Sequence, residues 1–388
     1  MVSSGDMQSE HVNIAEVQKR IQESLSLWYP DVTDLNSSLV FVYEKEHQWS
    51  RQLLFKIVGT GNCKGQEILV KCLKAQDSLG RVQREILGGV QSGNRSEEDG
   101  AFLEYKALSL LYEHFGKGQF DGITAVRPLA HFDDINSLVL EYVPGRNLLL
   151  MMLVAAKPWA KQSTVQAVLA AADRAGRLAG SLHMIKQGNY PRTESFDGET
   201  YHKSLQTKVD VLSNLSIGNR AWSRLNHVLH TVRGLTSGLH EDVTVTYLHS
   251  DFYPDNFIVL PDRRVCTVDT MLEWTGPVEK DIGEFLVFAR TPIQRLLGGA
   301  VVVRAHMLER VTQAFIAGYS QRACYSSRVA VLYQLLALVQ RWSSLLLLEQ
   351  KIPALLMSAY KRIRVNPLML RYLESISNEL KSSFIESK

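Results

Sequence analysis

The hydrophobic pattern of the chain changes at Pro144-Gly145, and this change constrains the fold more than any other feature of the sequence. Before it, short apolar runs rich in β-branched residues alternate with turn sequences; after it, most apolar residues recur with helical spacing, as over residues 162–184. With 388 residues, the chain is long enough for two lobes. We therefore predict an α+β protein with a β-rich N-terminal domain, residues 1–145, and a mainly helical C-terminal domain, residues 146–388.

Five strands and two helices are predicted for the N-terminal domain. The strands are expected at residues 38–43, 53–58, 67–73, 126–132 and 137–143. The glycine-rich connector after the second strand favours an antiparallel meander. Ser96-Glu97-Glu98-Asp99 resembles a capping box and predicts a helix that ends at about Phe115. A short amphipathic helix is expected earlier, at residues 13–27.

Short strands interrupt the helical pattern of the C-terminal domain. They are predicted at residues 243–248, 257–260 and 265–268, among helices at residues 162–184, 201–212, 221–235, 281–290, 305–319, 326–349 and 367–382. The first two strands bracket the polar loop His249-Ser250-Asp251-Phe252-Tyr253-Pro254-Asp255-Asn256, and Asp269 follows the third. The most polar loops of the chain therefore lie at strand ends.

This loop contains the residue types that phosphoryl transfer requires. Asp251 can orient a hydroxyl and accept its proton, while Asn256 and Asp269 supply the hard oxygen ligands that Mg²⁺ prefers. Acidic residues and Asn in loops more often form Asx turns, which is the alternative interpretation. The combination of His249, flanking strands and a second strand-terminal Asp favours catalysis.

Residues 248–257, followed by Val268-Asp269 and Asp281-Ile282-Gly283, resemble the phosphotransferase family that includes aminoglycoside phosphotransferases and choline kinases. The resemblance implies a protein-kinase-like bilobal fold, with a small five-stranded antiparallel N-lobe that carries one helix and a larger, mainly helical C-lobe. It also implies ATP and Mg²⁺ as cofactors.

By the same resemblance, Asp251 is the catalytic base, Asn256 and Asp269 bind Mg²⁺, and Asp281 braces the C-lobe. His249 belongs to the catalytic motif, and we expect it to organise the loop through hydrogen bonds rather than to transfer protons.

A kinase-like site also needs a Lys for the nucleotide phosphates and a helix Glu that holds it. Lys71 shares a face of the third predicted strand with Leu69, which would cover the adenine. Glu104 lies in line with apolar helix positions, where a carboxylate is costly unless paired, so we predict a Lys71–Glu104 ion pair. A lysine that only shields a strand edge is the other interpretation of Lys71. The alternative residues are Lys56, Glu98 and Glu113.

Residues 138–145 resemble the hinge of the family, where backbone groups near Glu141 and Val143 would bind the purine. Other features depart from protein kinases: residues 44–51 contain no glycine, so the phosphates would be held by backbone groups or Arg51. Asp269-Thr270-Met271 stands in place of D-F-G, and the catalytic motif lacks the Arg of H-R-D. These departures disfavour a protein kinase.

The predicted function is an ATP-dependent kinase that phosphorylates a hydroxyl of a small molecule, such as a sugar or amino alcohol. The alternatives are a nucleotide-binding pseudokinase, a protein kinase with a polypeptide acceptor, or a binding module that is not a kinase. Residues 282–388 contain 14 Lys and Arg against 6 Glu and no Asp, a net charge of +8, which favours a neutral or anionic acceptor. Aromatic residues that could stack on an acceptor are Trp222, Trp274, Trp342 and Tyr253, although each is also a candidate for core or loop packing.

Composition restricts the partners and the location. A net charge of +3 gives no indication of nucleic-acid binding, and the longest apolar run is far shorter than the roughly 20 residues of a membrane span. Four scattered cysteines without a CxxC pair are typical of reduced thiols. We expect a cytoplasmic monomer or homodimer.

Overall fold

The computed structural model describes residues 12–30, 38–47, 50–59, 64–74, 100–116, 122–215, 217–272, 274–292, 303–347 and 365–385. The predicted capping box and most of the glycine-rich connector lie outside these residues. Contacts divide the described residues into two compact units, one from residues 1–81, 94–119 and 125–144 and the other from residues 120–124 and 145–388.

The first unit contains an antiparallel sheet and two helices. They are α1 (Ile14–Trp28), β1 (Ser38–Glu46), β2 (Ser50–Val58), β3 (Glu67–Leu73), α2 (Gly100–Phe115), β4 (Pro128–Phe132) and β5 (Ser137–Glu141). The strand order is β1-β2-β3-β5-β4, which confirms the five predicted strands, the meander and the helix after the third strand. β5 ends two residues before the predicted Val143, because its partner β3 begins at Glu67 and leaves Val143 without a strand to pair with.

One face of this sheet is covered by α1. Apolar residues spaced three or four apart along α1 are buried against alternate residues of the strands. In β3 the buried residues facing α1 are Ile68, Val70 and Cys72. Burial of each large aliphatic side chain stabilises the fold by about 1.5–3 kcal/mol, so this layer fixes which face of β3 is turned towards α1. Leu69 and Lys71 therefore share the opposite face, as predicted.

The second unit is mainly helical. Its helices are α3 (Leu148–Ala155), α4 (Gln162–His183), α5 (Gly198–Ser213), α6 (Asn219–Thr236), α7 (Glu279–Arg290), α8 (Ala305–Ser320), α9 (Ser327–Leu347) and α10 (Asn366–Ile385). Its strands are β6 (Arg146–Asn147), β7 (Arg192–Ser195), β8 (Asp242–Leu248), β9 (Phe257–Val259), β10 (Val265–Thr267) and β11 (Trp274–Pro277), in two three-stranded sheets of order β10-β9-β6 and β11-β8-β7. The seven predicted helices and three predicted strands are confirmed.

Four elements of this unit were not predicted. α3 consists of apolar residues all round, so its sequence shows no helical period. β6, β7 and β11 are short edge strands without an apolar run, and they form because β8 and β9 offer them backbone partners.

Of the described helices, only α9 is long and apolar enough to cross a membrane, and 83% of its most apolar window is buried inside the fold. It packs against α5, α7 and α10, and its apolar residues form part of the helical core. A glycine sets the spacing to α7: a Cβ on Gly283 would lie 2.7 Å from the carbonyl carbon of Tyr333. This close approach holds α7, which carries Asp281, against α9.

Candidate active site

The polar loop begins where β8 ends at Leu248 and finishes in a 3₁₀ turn, Pro254–Asn256, that leads into β9. Ser250 and Asp269 adopt left-handed backbone conformations, with φ of 68° and 58°. Such conformations cost roughly 1 kcal/mol each for residues other than glycine, so surrounding contacts must hold them.

Asp281 supplies those contacts at the start of the loop. It is fully buried on α7; its Oδ2 accepts the His249 backbone N–H at 2.8 Å, and its Oδ1 accepts that of Ser250 at 3.3 Å. His183 Nε2 donates to the same Oδ2 at 3.1 Å. Burial raises the pKa of Asp281, but the hydrogen bonds from the His183 ring and from the His249 backbone oppose it, and the pKa lies below its usual value. The carboxylate thus stays ionised and anchors the loop.

His249 connects the loop to β10. Its Nε2 lies 2.7 Å from the hydroxyl of Thr267, which also donates to the carbonyl oxygen of Asn256 at 3.2 Å. Burial lowers the pKa of His249 to about 4, so the ring is neutral at pH 7. A neutral, fully buried ring is suited to holding the loop in shape, and this role of His249 stays a prediction.

Asp251 is half-buried, and the side chain of Asn256 holds it at two of its oxygen atoms. The side-chain N–H of Asn256 donates to its Oδ2 at 3.0 Å and to its backbone oxygen at 2.8 Å, so the structure brings these two predicted site residues together. Burial raises the pKa of Asp251 to about 7, assisted by the charges of Asp269 and Asp255 and opposed by hydrogen bonds from Asn256 and Tyr253. A carboxylate with this pKa is well matched to accepting a proton at neutral pH.

Asn256 and Asp269 are the residues of this region that could hold Mg²⁺. The Val268 backbone N–H donates to the carbonyl oxygen of Asn256 at 3.0 Å, which places Asp269 beside the loop. Burial raises the pKa of both Asp251 and Asp255, the negative charge of Asp269 adds to each shift, and a divalent cation would relieve this repulsion. Within the described residues no group of three His, Cys, Asp or Glu could hold a metal by itself. A carboxylate and an amide oxygen suffice for Mg²⁺, which keeps several water or phosphate ligands.

The predicted Lys71–Glu104 ion pair is present in the first unit. The Lys71 ammonium lies 3.0 and 2.7 Å from the two carboxylate oxygens of Glu104, which is only 2% exposed on α2. The alternatives Lys56 and Glu113 are exposed, and Glu98 lies outside the described residues. A buried pair that joins β3 to α2 fixes the position of the ammonium far better than an exposed lysine could.

The remaining nucleotide-site candidates also lie in the first unit. Leu69 is half-buried beside Lys71 and pairs with Leu140 of β5. Glu141 ends β5, and its backbone N–H donates to Arg127, whose guanidinium lies 3.8 Å from the Glu141 carboxylate. Val143 follows the strand and is half-buried. Their roles in nucleotide binding stay predictions.

Several residues beside the loop were missed or given no role by sequence reasoning. They are His183, Thr267, Glu284, Phe288 and Arg341. Glu284 is buried; burial raises its pKa to about 8, and the charge of Lys280 and a hydrogen bond from the Phe252 backbone N–H oppose this shift. None of the five carries a local signal of such contacts, because each contact depends on how its helix or strand packs beside the loop. Trp342, one of the aromatic candidates, is fully buried and donates to Asn366.

No protein-family model and no curated protein matches the sequence. Solved structures that resemble the chain include the choline kinase LicA from Streptococcus pneumoniae, with 13% identity, coverage of 93% of this chain and 99% of that chain, and a TM-score of 0.46. Others are a choline kinase from Cryptosporidium parvum Iowa II (11% identity, 96% and 97% coverage, TM-score 0.49) and a glucosamine kinase (12% identity, 96% and 99% coverage, TM-score 0.49). At these values the likeness carries no functional conclusion, which has to come from the geometry of the site.

Proposed function

We propose that the protein is a kinase that transfers the γ-phosphoryl group of ATP to a hydroxyl of a small molecule. The observation that carries the proposal is the environment of Asp251. Its carboxylate is half-buried, is fixed by Asn256, and has a pKa raised to about 7. An Asx turn requires none of these properties, whereas a general base benefits from all of them.

In the proposed reaction the hydroxyl oxygen of the acceptor attacks the γ-phosphorus of ATP. A new O–P bond forms, the bond between the γ-phosphorus and its bridging oxygen breaks, and ADP leaves with that electron pair. Asp251 accepts the hydroxyl proton, and the hydrogen bond from Asn256 keeps the receiving carboxylate in one orientation. Positioning and electrostatics account for most of the catalysis of such a transfer.

Two further groups support the proposal. Asn256 and Asp269 would hold Mg²⁺, which when bound neutralises charge on the phosphate oxygens. The Lys71–Glu104 pair gives the first unit a fixed positive charge suited to nucleotide phosphates. Burial of Glu104 supports this role, since a purely structural lysine on a strand needs no buried partner.

Two substitutions test the proposal. Asp251→Asn removes the base but keeps a hydrogen-bonding side chain of the same size, so turnover should fall about 100-fold or more while ATP still raises the melting temperature. Asp269→Ala should instead weaken the shift produced by Mg²⁺ and ATP. Turnover is measured as ADP release over a panel of small hydroxyl compounds, with Asp242→Asn, an exposed position on β8, as the matched control. Undiminished ADP release by the Asp251 variant would refute the assignment; nucleotide binding without turnover in the unaltered protein would favour the pseudokinase.

A further inference from the structure

Helix α7 directs two carboxyl groups, one turn apart, towards the loop. Asp281 and Glu284 are three residues apart in sequence, so their side chains lie on the same face of the helix. Asp281 accepts the backbone N–H of Ser250 at 3.3 Å. Glu284 accepts the backbone N–H of Phe252. Both sequence neighbours of Asp251 are therefore hydrogen-bonded to α7 through their backbone.

The hydrogen bond to Glu284 orients the peptide unit that joins Asp251 to Phe252. The N–H of this unit is donated to Glu284, and its carbonyl oxygen accepts the Asn256 side-chain N–H at 2.8 Å. The same Asn256 side chain donates to the Asp251 Oδ2 at 3.0 Å. Because the peptide unit is planar, its N–H and its carbonyl group rotate together. Loss of the bond to Glu284 would therefore also loosen the hold of Asn256 on the proposed base.

A carboxyl group at position 284 does not favour the stability of the helical core. The Glu284 side chain is 2% exposed, and its Oε2 has no hydrogen-bond partner among the described residues. A buried polar atom without a partner lowers stability, and an apolar side chain of similar volume is often neutral or stabilising in its place. The packing of α7 therefore does not require this carboxyl group, whereas the orientation of the loop requires a hydrogen-bond acceptor here.

Glu284 is mostly protonated at pH 7. Burial raises its pKa to about 8, while the charge of Lys280 and the hydrogen bond from Phe252 oppose this shift. A neutral carboxyl group holds the Phe252 N–H through its carbonyl oxygen. The side chain of glutamine carries the same oxygen on a chain of the same length, so it should replace Glu284 in this role.

We infer that Glu284 is a positioning residue of the proposed kinase: it fixes the peptide unit between Asp251 and Phe252 and so keeps the Asp251 carboxylate aligned for the acceptor hydroxyl. The inference rests on the proposed function and adds a residue to its site. Glu284 acts through the loop rather than on a reactant. Such an effect can be large, since a misplacement of about 1 Å can lower a rate about 100-fold.

The test compares replacements of Glu284 that keep or remove the acceptor oxygen. Glu284→Gln keeps it, whereas Glu284→Met and Glu284→Leu remove it and leave an apolar side chain of similar size. Thr291→Val is the matched control, because Thr291 is fully buried at the end of the same helix and its hydroxyl donates to the Val287 carbonyl of that helix at 2.7 Å. ADP release is measured at saturating ATP and Mg²⁺ with the panel of hydroxyl compounds, which includes glycerol, glucose and serinol.

We expect the apolar variants to lose turnover but not nucleotide binding. Glu284→Met and Glu284→Leu should lower kcat about 10- to 100-fold and change the KM for ATP less than about threefold. They should also melt cooperatively, within about 5 °C of the unaltered protein. Glu284→Gln and Thr291→Val should keep kcat within about threefold of that of the unaltered protein.

Three kinetic outcomes would overturn the inference and leave the assignment of Asp251 intact. They are full kcat in the apolar variants, a loss in Glu284→Gln equal to theirs, and an equal loss in Thr291→Val. Failure of both apolar variants to melt cooperatively would show that Glu284 is needed for folding, and it would overturn the inference as well.

A second readout needs no turnover. Hydrogen–deuterium exchange over residues 249–257 reports how firmly the loop is held. Exchange at Phe252 should be faster in the two apolar variants than in the unaltered protein and in Glu284→Gln; equal exchange in all of them would overturn the inference. Faster exchange in the apolar variants, together with no ADP release by the unaltered protein above the Asp251→Asn background, would contradict the proposed function and preserve the hold of Glu284 on the loop.

Discussion

Replacing Asp281 by Asn should destabilise the second unit, because this one buried carboxylate holds three hydrogen-bond donors. The carboxylate accepts hydrogen bonds from the backbone of His249 and Ser250 and from the ring of His183. Asn retains one acceptor oxygen, and its NH₂ group must then face at least one of these donors. A bond to a charged acceptor contributes about 1.5–3 kcal/mol, and a buried donor left unsatisfied costs a similar amount.

The expected loss is therefore about 3–5 kcal/mol of the free energy of unfolding. Global stabilities are typically about 5–15 kcal/mol, so the loss is a large fraction of the total. Relaxation of the left-handed backbone at Ser250, which the Asp281 carboxylate holds in place, would offset roughly 1 kcal/mol of this loss. Urea unfolding at pH 7, followed by tryptophan fluorescence, measures the difference, with Asp242→Asn as the surface control.

The pH dependence gives an independent check. The pKa of Asp281 is lower in the folded state than its ordinary value of 3.8. Its stabilising contribution is therefore fully present above that value and is lost as the pH falls through the lower folded-state pKa. The difference between the unaltered protein and Asp281→Asn should be constant from about pH 8 to 5 and shrink below about pH 4. A difference of less than about 1 kcal/mol at pH 7 would refute the role of this carboxylate as the anchor of the loop.

Two further buried carboxylates give predictions of opposite kinds. Glu104→Gln removes one charge of its pair with Lys71 and should lower the free energy of unfolding in urea by about 3 kcal/mol. The double variant Glu104→Gln, Lys71→Met should lose clearly less than the sum of the two single losses. Additive losses would show that the pair is not coupled. Glu279 accepts the Ser326 backbone N–H at 2.7 Å, and burial raises its pKa from 4.5 to about 7, so the folded state favours its protonated form. Its ionisation therefore lowers stability as the pH rises from about 4.5 to 7, and Glu279→Gln should gain stability relative to the unaltered protein between pH 5 and 8; a difference independent of pH would contradict the shift.

Local sequence patterns determined most of the secondary structure and part of the candidate site. Alternation in β3 placed Leu69 and Lys71 on one face, and helical spacing placed Glu104 on the apolar side of α2. An acid at such a position needs a nearby cation, so the Lys71 pair followed from two short-range periodicities although the partners are 33 residues apart. The members of the loop could be identified because the loop is continuous in sequence.

Contacts between distant helices were decided only by the tertiary structure. His183 meets Asp281 across 98 residues, and Arg341 meets Phe288 across the α7–α9 interface. No periodicity of the sequence predicts such pairs, because they depend on how closely two helices approach each other. The close approach of Gly283 to Tyr333 is an example. The sequence alone thus determined most of the strands and helices and the residues of the loop, whereas the packing of helices decided what surrounds the loop. Non-local contacts depend on the relative placement of whole elements, which local propensity does not encode.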